Sequence, residues 1–157
     1  MGDGLARVQQ LLDAAGVDYT QIHHRRDFRA TQTALDTFTP PDEFAKTVFI
    51  WIDGSPAMAV LPASKHLSIS KLRKALGAKQ VRLASESDVK NLCSDCEPGA
   101  APPFGVLYDL PLFASRALEA DDEITFNGGT HEQAIRMRMV DWKKLAMPRV
   151  VRLAKHE

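Results

Sequence analysis

The spacing of apolar residues predicts several short amphipathic helices. Leu5, Val8 and Leu12 recur every three or four residues, which is the spacing of one helix face, and Gly16 is placed to end that helix. Asp141 stands just before the last predicted helix, and we expect it to cap that helix. Further helices are predicted where the spacing returns, in residues 30–38, 70–76, 85–93 and 142–145.

Strands are predicted where apolar residues alternate or run without interruption. Residues 44–52 are the strongest candidate, because they are apolar on both faces apart from Lys46 and Thr47, as in a central strand. The turn that follows leads into residues 57–61 and predicts a hairpin. Hairpins interrupted by helices favour an α+β domain around a mixed, mostly antiparallel sheet. Other strands are expected at residues 17–23, 81–84, 106–108, 124–126 and 134–139.

Composition narrows the class of protein. The chain has 157 residues, of which 45% are hydrophobic and 25% charged, and we expect residues 1–157 to form a single domain. The formal net charge is zero, so any contact with a polyanion must be local. Basic residues do form three clusters: Arg25, Arg26 and Arg29; Lys71, Arg73, Lys74 and Lys79; and Arg149, Arg152 and Lys155. The simplest interpretation of each cluster is a solvated surface.

Cellular location is predicted from two missing patterns. No segment is long and apolar enough to cross a bilayer, and the N-terminus lacks the layout of a signal peptide. We therefore expect a cytoplasmic protein without a membrane partner.

The two cysteines, Cys93 and Cys96, form a C-x-x-C pair. A structural zinc site would need two further ligands, and a thioredoxin-like pair would open a helix, whereas this pair closes a predicted one. We expect two reduced thiols. No phosphate-binding or dinucleotide fingerprint and no G-x-S-x-G elbow is present, so neither a cofactor nor a serine nucleophile is expected. His23, His24 and His66 have no partner at metal-ligand spacing and His156 is terminal, so no catalytic metal is expected.

Two glycine-rich segments, residues 99–105 and 126–131, carry the most information about function. Each places flexible backbone beside rigid or ring-bearing residues, which lets main-chain N–H groups approach a small ligand. Such a pocket can hydrolyse an activated ester without a nucleophile, because each aligned donor stabilises the oxyanion by ~3 kcal/mol. His131, at the end of the second segment, could serve as a base, a proton shuttle or a hydrogen-bonding wall.

Lys46 is the strongest single candidate for chemistry. Strand alternation puts it on the face of Val48 and Ile50, so its stem should follow the core while its ammonium emerges at the end of the sheet. The alternative is a structural role, either as an ion pair with Asp42 or Glu43 or as a snorkelling side chain.

Taken together, these residues resemble the family of YbaK-like and prolyl-tRNA-synthetase-associated editing domains, which are free-standing aminoacyl-tRNA deacylases. The order and spacing agree from about residue 44 to residue 145. The matching features are residues 45–48 on the central strand, the G-x-x-x-P loop 99–103 running into 104–105, residues 126–131, residues 135–137, and Asp141.

The resemblance implies a compact α+β domain with a mixed, partly barrel-like sheet. It implies hydrolysis of the ester between a wrong amino acid and the terminal ribose of tRNA, without metal or cofactor, with a ribose hydroxyl helping to activate water. The implied partners are the acceptor end of aminoacyl-tRNA and prolyl-tRNA synthetase; neither DNA nor a membrane is expected.

The resemblance also implies roles for individual residues. The catalytic set is Lys46, Gly99 and His131. The substrate-binding set is Thr47, Ala100, Ala101, Pro102, Pro103, Phe104, Gly105, Gly128 and Gly129. Thr47 and the two small alanines are consistent with removal of Cys or Ala from tRNA(Pro). Two other functions are open: a tRNA- or synthetase-binding module without turnover, and a small-molecule hydrolase or ligand-binding protein indifferent to the tRNA body.

Overall fold

The computed structural model describes residues 4–26 and 29–156, in which an eight-stranded sheet is flanked by five α-helices. The strands are β1 (Tyr19–His23), β2 (Phe44–Ile52), β3 (Ser55–Pro62), β4 (Val81–Leu83), β5 (Leu112–Ser115), β6 (Glu123–Asn127), β7 (Gln133–Arg138) and β8 (Arg149–Val151). The helices are α1 (Gly4–Ala15), α2 (Ala30–Asp36), α3 (Ile69–Leu76), α4 (Glu86–Leu92) and α5 (Met139–Ala146). Two short 3₁₀ segments span Gly105–Leu107 and Arg116–Ala120.

The sheet is mixed, as predicted. The strands follow the order β1-β7-β6-β2-β3-β5-β8, and β4 is a further neighbour of β2. The pairs β1–β7, β6–β7, β2–β3 and β2–β4 are antiparallel, whereas β2–β6, β3–β5 and β5–β8 are parallel. Because this order ends at β1 and β8, the sheet is not a closed barrel.

Strand β2 organises the fold, and its bounds match the predicted central strand residue for residue. One edge of β2 pairs continuously with β3. On the other edge β6 pairs only with Phe44 and Ala45, and β4 pairs only with residues 50–52. Residues 46–48 therefore face an opening in the sheet between β6 and β4, which we call the β2 gap.

Side chains of β2 alternate between two cores on the two faces of the sheet. Ala45 and Phe49 join the larger core, which includes Trp142 of α5. Ile50 joins the smaller core together with Leu72 of α3. Since burying one large apolar side chain contributes about 1.5–3 kcal/mol, the two cores hold the sheet firmly between α5 on one face and α3 on the other.

Two local predictions are wrong. Instead of a strand at residues 106–108 the chain forms the 3₁₀ segment Gly105–Leu107, and the next strand is β5. The backbone folds back on itself here, so that a Cβ on Gly105 would lie 2.2 Å from the carbonyl oxygen of Leu110. Asp141 does not precede α5 but lies in its first turn, where its carboxylate accepts a hydrogen bond from Arg138 at 3.0 Å.

None of the helices within residues 4–26 and 29–156 is both long and apolar enough to span a membrane.

Candidate functional site

The two glycine-rich segments lie against each other, as their sequences suggested. The N–H of Glu97 donates to the carbonyl of Gly129 at 2.7 Å, and the N–H of Gly129 donates to the carbonyl of Ala100 at 2.9 Å. Gly129 has φ of +101°, a conformation that favours glycine. We call residues 97–101 the site loop and residues 128–131 the glycine turn. Main-chain hydrogen bonds thus fix the site loop to the glycine turn.

His131 is buried beneath the site loop. Its backbone N–H donates to the Glu97 carboxylate at 2.7 Å, and its ring Nε2 lies 2.7 Å from the carbonyl oxygen of Pro98. Because a carbonyl only accepts, Nε2 carries the proton in this contact. A Cβ on Gly99 would lie 3.4 Å from Cε1 of the same ring. These contacts give His131 a positioning role; its direct participation in catalysis stays a prediction.

Glu97 anchors the site loop and was missed by the sequence analysis. Its carboxylate accepts hydrogen bonds from Arg26 and from the backbone of His131. Burial alone would raise the pKa of Glu97, but these hydrogen bonds outweigh it and the pKa is lowered. Arg26 also lies 3.5 Å from Glu132, and Arg25 forms an ion pair with Asp36. The first basic cluster is therefore largely compensated by carboxylates.

The site loop faces the β2 gap across a cavity of about 200 Å³. No Asp, Glu, His, Cys or Lys residue of the described chain lines this cavity, so its walls are mostly apolar. The lining residues are Thr47, Val48, Phe49, Leu83, Ala84, Val89, Gly99 and Ala101. Three of these residues were predicted to belong to the site: Thr47 on β2, and Gly99 and Ala101 in the loop.

Backbone donors without partners border the cavity. The N–H groups of Gly99 and Ala101 donate to no acceptor within the described residues. Strand alternation also turns the N–H of Thr47 toward the β2 gap, because the carbonyl of Phe49 accepts from Ala84 on this same edge. Unpaired N–H groups beside a small cavity can stabilise a developing oxyanion.

Two buried polar side-chain atoms near the gap also lack partners. Thr47 Oγ1 and Asn127 Oδ1 are buried and make no hydrogen bond to any described group. The pairing of β2 with β6 stops at Ala45 and Phe126, so the next residue pair, Lys46 and Asn127, borders the gap. Buried polar atoms are rarely left unpaired, and such atoms indicate a place for water or ligand. Asn127 lies in the glycine-rich segment 126–131, but the sequence analysis assigned it no role.

Lys46 lies on the opposite face of β2 from Thr47, at the end of the sheet. Its Nζ lies 3.5 Å from the carbonyl oxygen of Ala63. No carboxylate in the described part of the chain is within 4.0 Å of it, so the alternative of an ion pair with Asp42 or Glu43 is wrong. Burial lowers the pKa of the Lys46 ammonium. This half-buried cation has no anionic partner, borders the β2 gap and does not line the 200 Å³ cavity.

The other predicted residues mainly shape the loop. Phe104 is fully buried and meets Phe126 edge to face, with ring centroids 5.5 Å apart. The carbonyl of Pro103 accepts a hydrogen bond from Trp142 Nε1 at 3.0 Å. Ala100, Pro102, Gly105 and Gly128 are likewise buried. Direct substrate contact by these residues stays a prediction.

Arg136 holds the segment ahead of β2 and was also missed. Its guanidinium donates to the carbonyl of Thr37 at 2.8 Å and to Thr39 Oγ1 at 2.7 Å, while Nε donates to Thr125 at 3.1 Å. Arg136 therefore ties the connection between α2 and β2 to the sheet, close to the end where Lys46 emerges.

A larger open cavity of about 670 Å³ lies beside α5, away from all predicted site residues. Asp121 lines it, and burial together with the nearby carboxylates of Glu43, Asp42 and Asp122 raises the pKa of Asp121 to about 6. We do not place the site here, since none of the predicted site residues lines this cavity.

Cys93 and Cys96 form a disulfide, so the prediction of two reduced thiols is wrong. The turn between them brings their Cα atoms to 5.8 Å, within the range that a disulfide requires. As predicted, the pair closes a helix, since Cys93 follows α4 directly. Cys96 precedes Glu97, so the disulfide joins the end of α4 to the start of the site loop.

The chain is similar to several known proteins. A family model described as an aminoacyl-tRNA editing domain matches residues 25–145. The multifunctional Ser/Thr-tRNA deacylase ProXp-y of Escherichia coli strain K12 is 28% identical over 150 residues, which cover 92% of this chain and 89% of that protein. The same protein of Escherichia coli O157:H7 matches equally well.

Two solved structures share the fold. One is described as a candidate trans-editing enzyme for prolyl tRNA synthetase, with 19% identity, a TM-score of 0.83 and coverage of 99% of both chains. The other is a hypothetical protein, with 18% identity, a TM-score of 0.85 and coverage of 95% of this chain and 99% of that one.

Proposed function

This chain belongs to the aminoacyl-tRNA editing domain family, as its motifs suggested, and we propose that it clears tRNA(Pro) charged with a small wrong amino acid. It is an aminoacyl-tRNA hydrolase, in keeping with the family and with its deacylase relatives. The tRNA, the amino acid and the mechanism are proposals that rest on the candidate site.

The observation that carries the proposal is the group of unpaired polar atoms around the β2 gap. The N–H groups of Gly99 and Ala101 are suited to hold the oxyanion that forms during ester hydrolysis. The cavity of about 200 Å³ is smaller than the roughly 300–1,000 Å³ of pockets for drug-sized ligands. It therefore suits an amino-acid side chain, with the ribose and phosphate of the tRNA end outside.

The proposed mechanism uses water and the substrate's own ribose. Among the described residues Thr47 alone brings a hydroxyl to the lining of the cavity, and none of them is a base hydrogen-bonded to it, so it is not an activated nucleophile. Water attacks the ester carbonyl carbon, and the neighbouring free ribose hydroxyl takes a proton from that water while passing its own proton to the ester oxygen of the ribose. The carbon–oxygen bond to the ribose then breaks, that ribose oxygen leaves as a hydroxyl, and the free amino acid and intact tRNA are released. The described residues that line the cavity include no Asp, Glu, His or Cys, and this donor set supports a metal-free route.

Lys46 is proposed to bind the terminal phosphate of the tRNA. A lysine ammonium suits a phosphate as a compact point charge, and this one has no carboxylate partner among the described residues. Binding a phosphate would compensate the desolvation that now lowers its pKa.

The amino acid proposed is small and preferably carries a hydroxyl. Removal of Cys or Ala was expected from the sequence, whereas the relative in Escherichia coli is named for Ser/Thr-tRNA. The buried Thr47 Oγ1 can form a hydrogen bond with the bound amino acid only if the side chain of that amino acid is polar. An apolar side chain such as that of Ala leaves Thr47 Oγ1 unpaired. We therefore place Ser and Thr ahead of Ala as substrates.

The test is a panel of labelled Ala-, Cys-, Ser-, Thr- and Pro-tRNA(Pro) incubated with the wild type and with Thr47→Val. Ser and Thr should be released faster than Ala, and Pro should be spared. Thr47→Val keeps the shape but loses the hydroxyl, so it should lower kcat/KM for Ser and Thr relative to Ala by about 2- to 12-fold, since one hydrogen bond contributes about 0.5–1.5 kcal/mol. Equal release of Pro, or no release at all, would overturn the proposal.

Two controls address the mechanism and the alternative functions. Lys46→Ala should fold and lose deacylation, whereas a pure binding module has no hydrolysis to lose. A rate that falls with a chelator and returns with a metal would contradict the metal-free route.

Two further assignments follow from the proposed substrate. Charged tRNA is used in the cytoplasm, so we propose that the protein acts there. Prolyl-tRNA synthetase is the proposed partner, because it produces the mischarged tRNA(Pro), and co-purification would test a stable complex.

A further inference from the structure

The zero net charge of the chain conceals a separation of charge. Residues 63–79 and 149–156 together contain eight Lys and Arg residues and no Asp or Glu. The remaining sequence contains twelve Lys and Arg residues and all twenty acidic ones. Two segments that are about 80 residues apart in sequence thus carry a concentrated positive charge.

The fold brings these two segments side by side. The N–H of Ser68 donates to the carbonyl of Leu153 at 2.7 Å, and the N–H of Lys155 donates to the carbonyl of His66 at 2.8 Å. Leu153 is also buried in the same core as Leu72 of α3. Two basic clusters that are separate in the sequence therefore form one surface on the α3 side of the sheet.

The cations of this surface are exposed and uncompensated. Six side chains are exposed, and within the described ranges no carboxylate lies within 4.0 Å of their charged atoms. Among the described residues two carboxylates are hydrogen-bonded to these segments: Asp42 accepts from the hydroxyl of Ser64, and Asp53 accepts from the backbone N–H groups of residues 79 and 80. We call the six residues the basic face: Arg73, Lys74, Lys79, Arg149, Arg152 and Lys155.

The basic face is continuous with Lys46. The Lys46 ammonium contacts the carbonyl of Ala63, which is the first residue of the basic segment 63–79. Lys46 also lies on the same face of β2 as Ile50, whose core includes α3. The segment from Ala63 through Lys65 and His66 thus connects the end of the sheet to the basic face.

We propose that the basic face binds the phosphate backbone of the tRNA acceptor stem, so that the single-stranded 3′ end passes Lys46 on its way to the β2 gap. This inference rests on the proposed function and specifies the surface that holds the substrate. Exposed Lys and Arg side chains spread over a surface suit the regularly spaced phosphates of an RNA helix, which they contact without reading bases. We do not include Arg25 and Arg26 in the tRNA-binding surface, because nearby carboxylates compensate their positive charges.

The experiment compares two triple variants with equal loss of charge. The basic-face variant is Arg73→Gln/Lys74→Gln/Arg152→Gln. The matched control is Arg116→Gln/Lys143→Gln/Lys144→Gln; its two lysines are on α5, which packs on the opposite face of the sheet. Affinity for uncharged tRNA is measured from about 50 to about 300 mM salt, and kcat and KM are measured for deacylation.

The basic-face variant should bind uncharged tRNA about 10- to 100-fold more weakly at about 0.1 M salt, with a slope of log K against log salt smaller by about 2–3. KM should rise while kcat at saturation stays near that of the wild type. The control should differ from the wild type by less than about twofold. Circular dichroism melting checks that both variants fold, and single substitutions replace any triple variant that does not.

Three results would overturn the inference: equal affinity for tRNA in the basic-face variant and the wild type, an equal loss in the control, or a fall in kcat alone. Binding of vesicles of phosphatidylserine and phosphatidylcholine through the same residues, without binding of tRNA, would assign the face to a membrane and also overturn it. If the wild type binds tRNA through this face but hydrolyses no aminoacyl ester, the proposed function fails and the inference stands.

Discussion

Replacing Lys46 with Met should stabilise the fold and abolish deacylation. The Lys46 ammonium is half-buried and has no carboxylate within 4.0 Å in the residues that the structure describes. Its stem lies opposite Leu61 of β3, beside apolar residues of the smaller core. Met has a similar length and can keep this packing while removing the desolvated charge.

The magnitude follows from what is lost and gained. The Nζ contact to Ala63 is 3.5 Å long, beyond the 2.7–3.2 Å of a good hydrogen bond, so its loss costs little. Removing a partly desolvated, unpaired charge should then raise the free energy of unfolding by about 0.5–1 kcal/mol after solvent screening. For a chain of this size that raises Tm by about 1–4 °C. Loss of the proposed phosphate contact should lower kcat/KM by at least about 30-fold, corresponding to about 2 kcal/mol or more.

The effect of pH on stability has a definite sign. Burial lowers the pKa of Lys46 in the folded state, while the unfolded state keeps the ordinary value of about 10.4. Between these two pKa values the unfolded state binds more protons, so the stability of the wild type rises with pH. The advantage of Lys46→Met should therefore shrink as the pH moves from 7 toward 10.

Urea denaturation at two pH values and deacylation of charged tRNA(Pro) measure these effects. Lys46→Arg retains the charge and serves as the control, and it should keep the stability of the wild type and part of its activity. The reasoning is refuted if Lys46→Met loses stability in step with its activity, because the lysine would then be a structural residue.

The remaining predictions concern His131, Asp121 and the disulfide. His131→Leu removes the donor to the Pro98 carbonyl and should lower kcat/KM about tenfold, whereas His131→Gln keeps a donor and most of the activity; equal inactivation would indicate proton transfer by the ring. Burial raises the pKa of Asp121 to about 6, so the folded state binds more protons between about pH 4 and pH 6, and stability increases as the pH falls through this range. Asp121→Asn should therefore raise the free energy of unfolding by about 1 kcal/mol at pH 7 after solvent screening, and lose this advantage near pH 4 in urea titrations; an advantage that persists at pH 4 would contradict the argument. Cys93→Ser/Cys96→Ser opens a short covalent loop and should lower the free energy of unfolding by about 2 kcal/mol, as should reduction of the wild type with dithiothreitol; a wild type that does not respond to the reductant would show unpaired thiols.

Local patterns in the sequence were sufficient for the elements that carry the site. β2 was predicted to the residue, because an apolar run on both faces requires burial from both sides. The glycine segments were predicted to form one pocket, and the structure joins them through backbone hydrogen bonds. The family could also be inferred from three motifs in order, since motif order is a property of the chain itself.

Two local signals were misread because contacts a few residues further along or back in the chain decided the outcome. Residues 106–108 are apolar like a short strand, but the backbone folds back so that Gly105 lies close to Leu110, and a 3₁₀ segment forms there. Asp is a common helix-capping residue, but Asp141 lies within the first turn of α5, where its carboxylate accepts a hydrogen bond from Arg138.

Only the tertiary structure determined where the reactive groups meet. The β2 gap exists because two strands from distant parts of the chain, β6 and β4, pair with opposite ends of one edge. The side-chain oxygens Thr47 Oγ1 and Asn127 Oδ1 lie beside that gap without a hydrogen-bond partner in the described part of the chain, and no local pattern reports a hydrogen bond that is not made. The basic face likewise forms by packing of the C-terminal segment onto α3. Periodicity along a chain reports which side chains are buried, whereas pairing between distant segments decides which polar groups stay free.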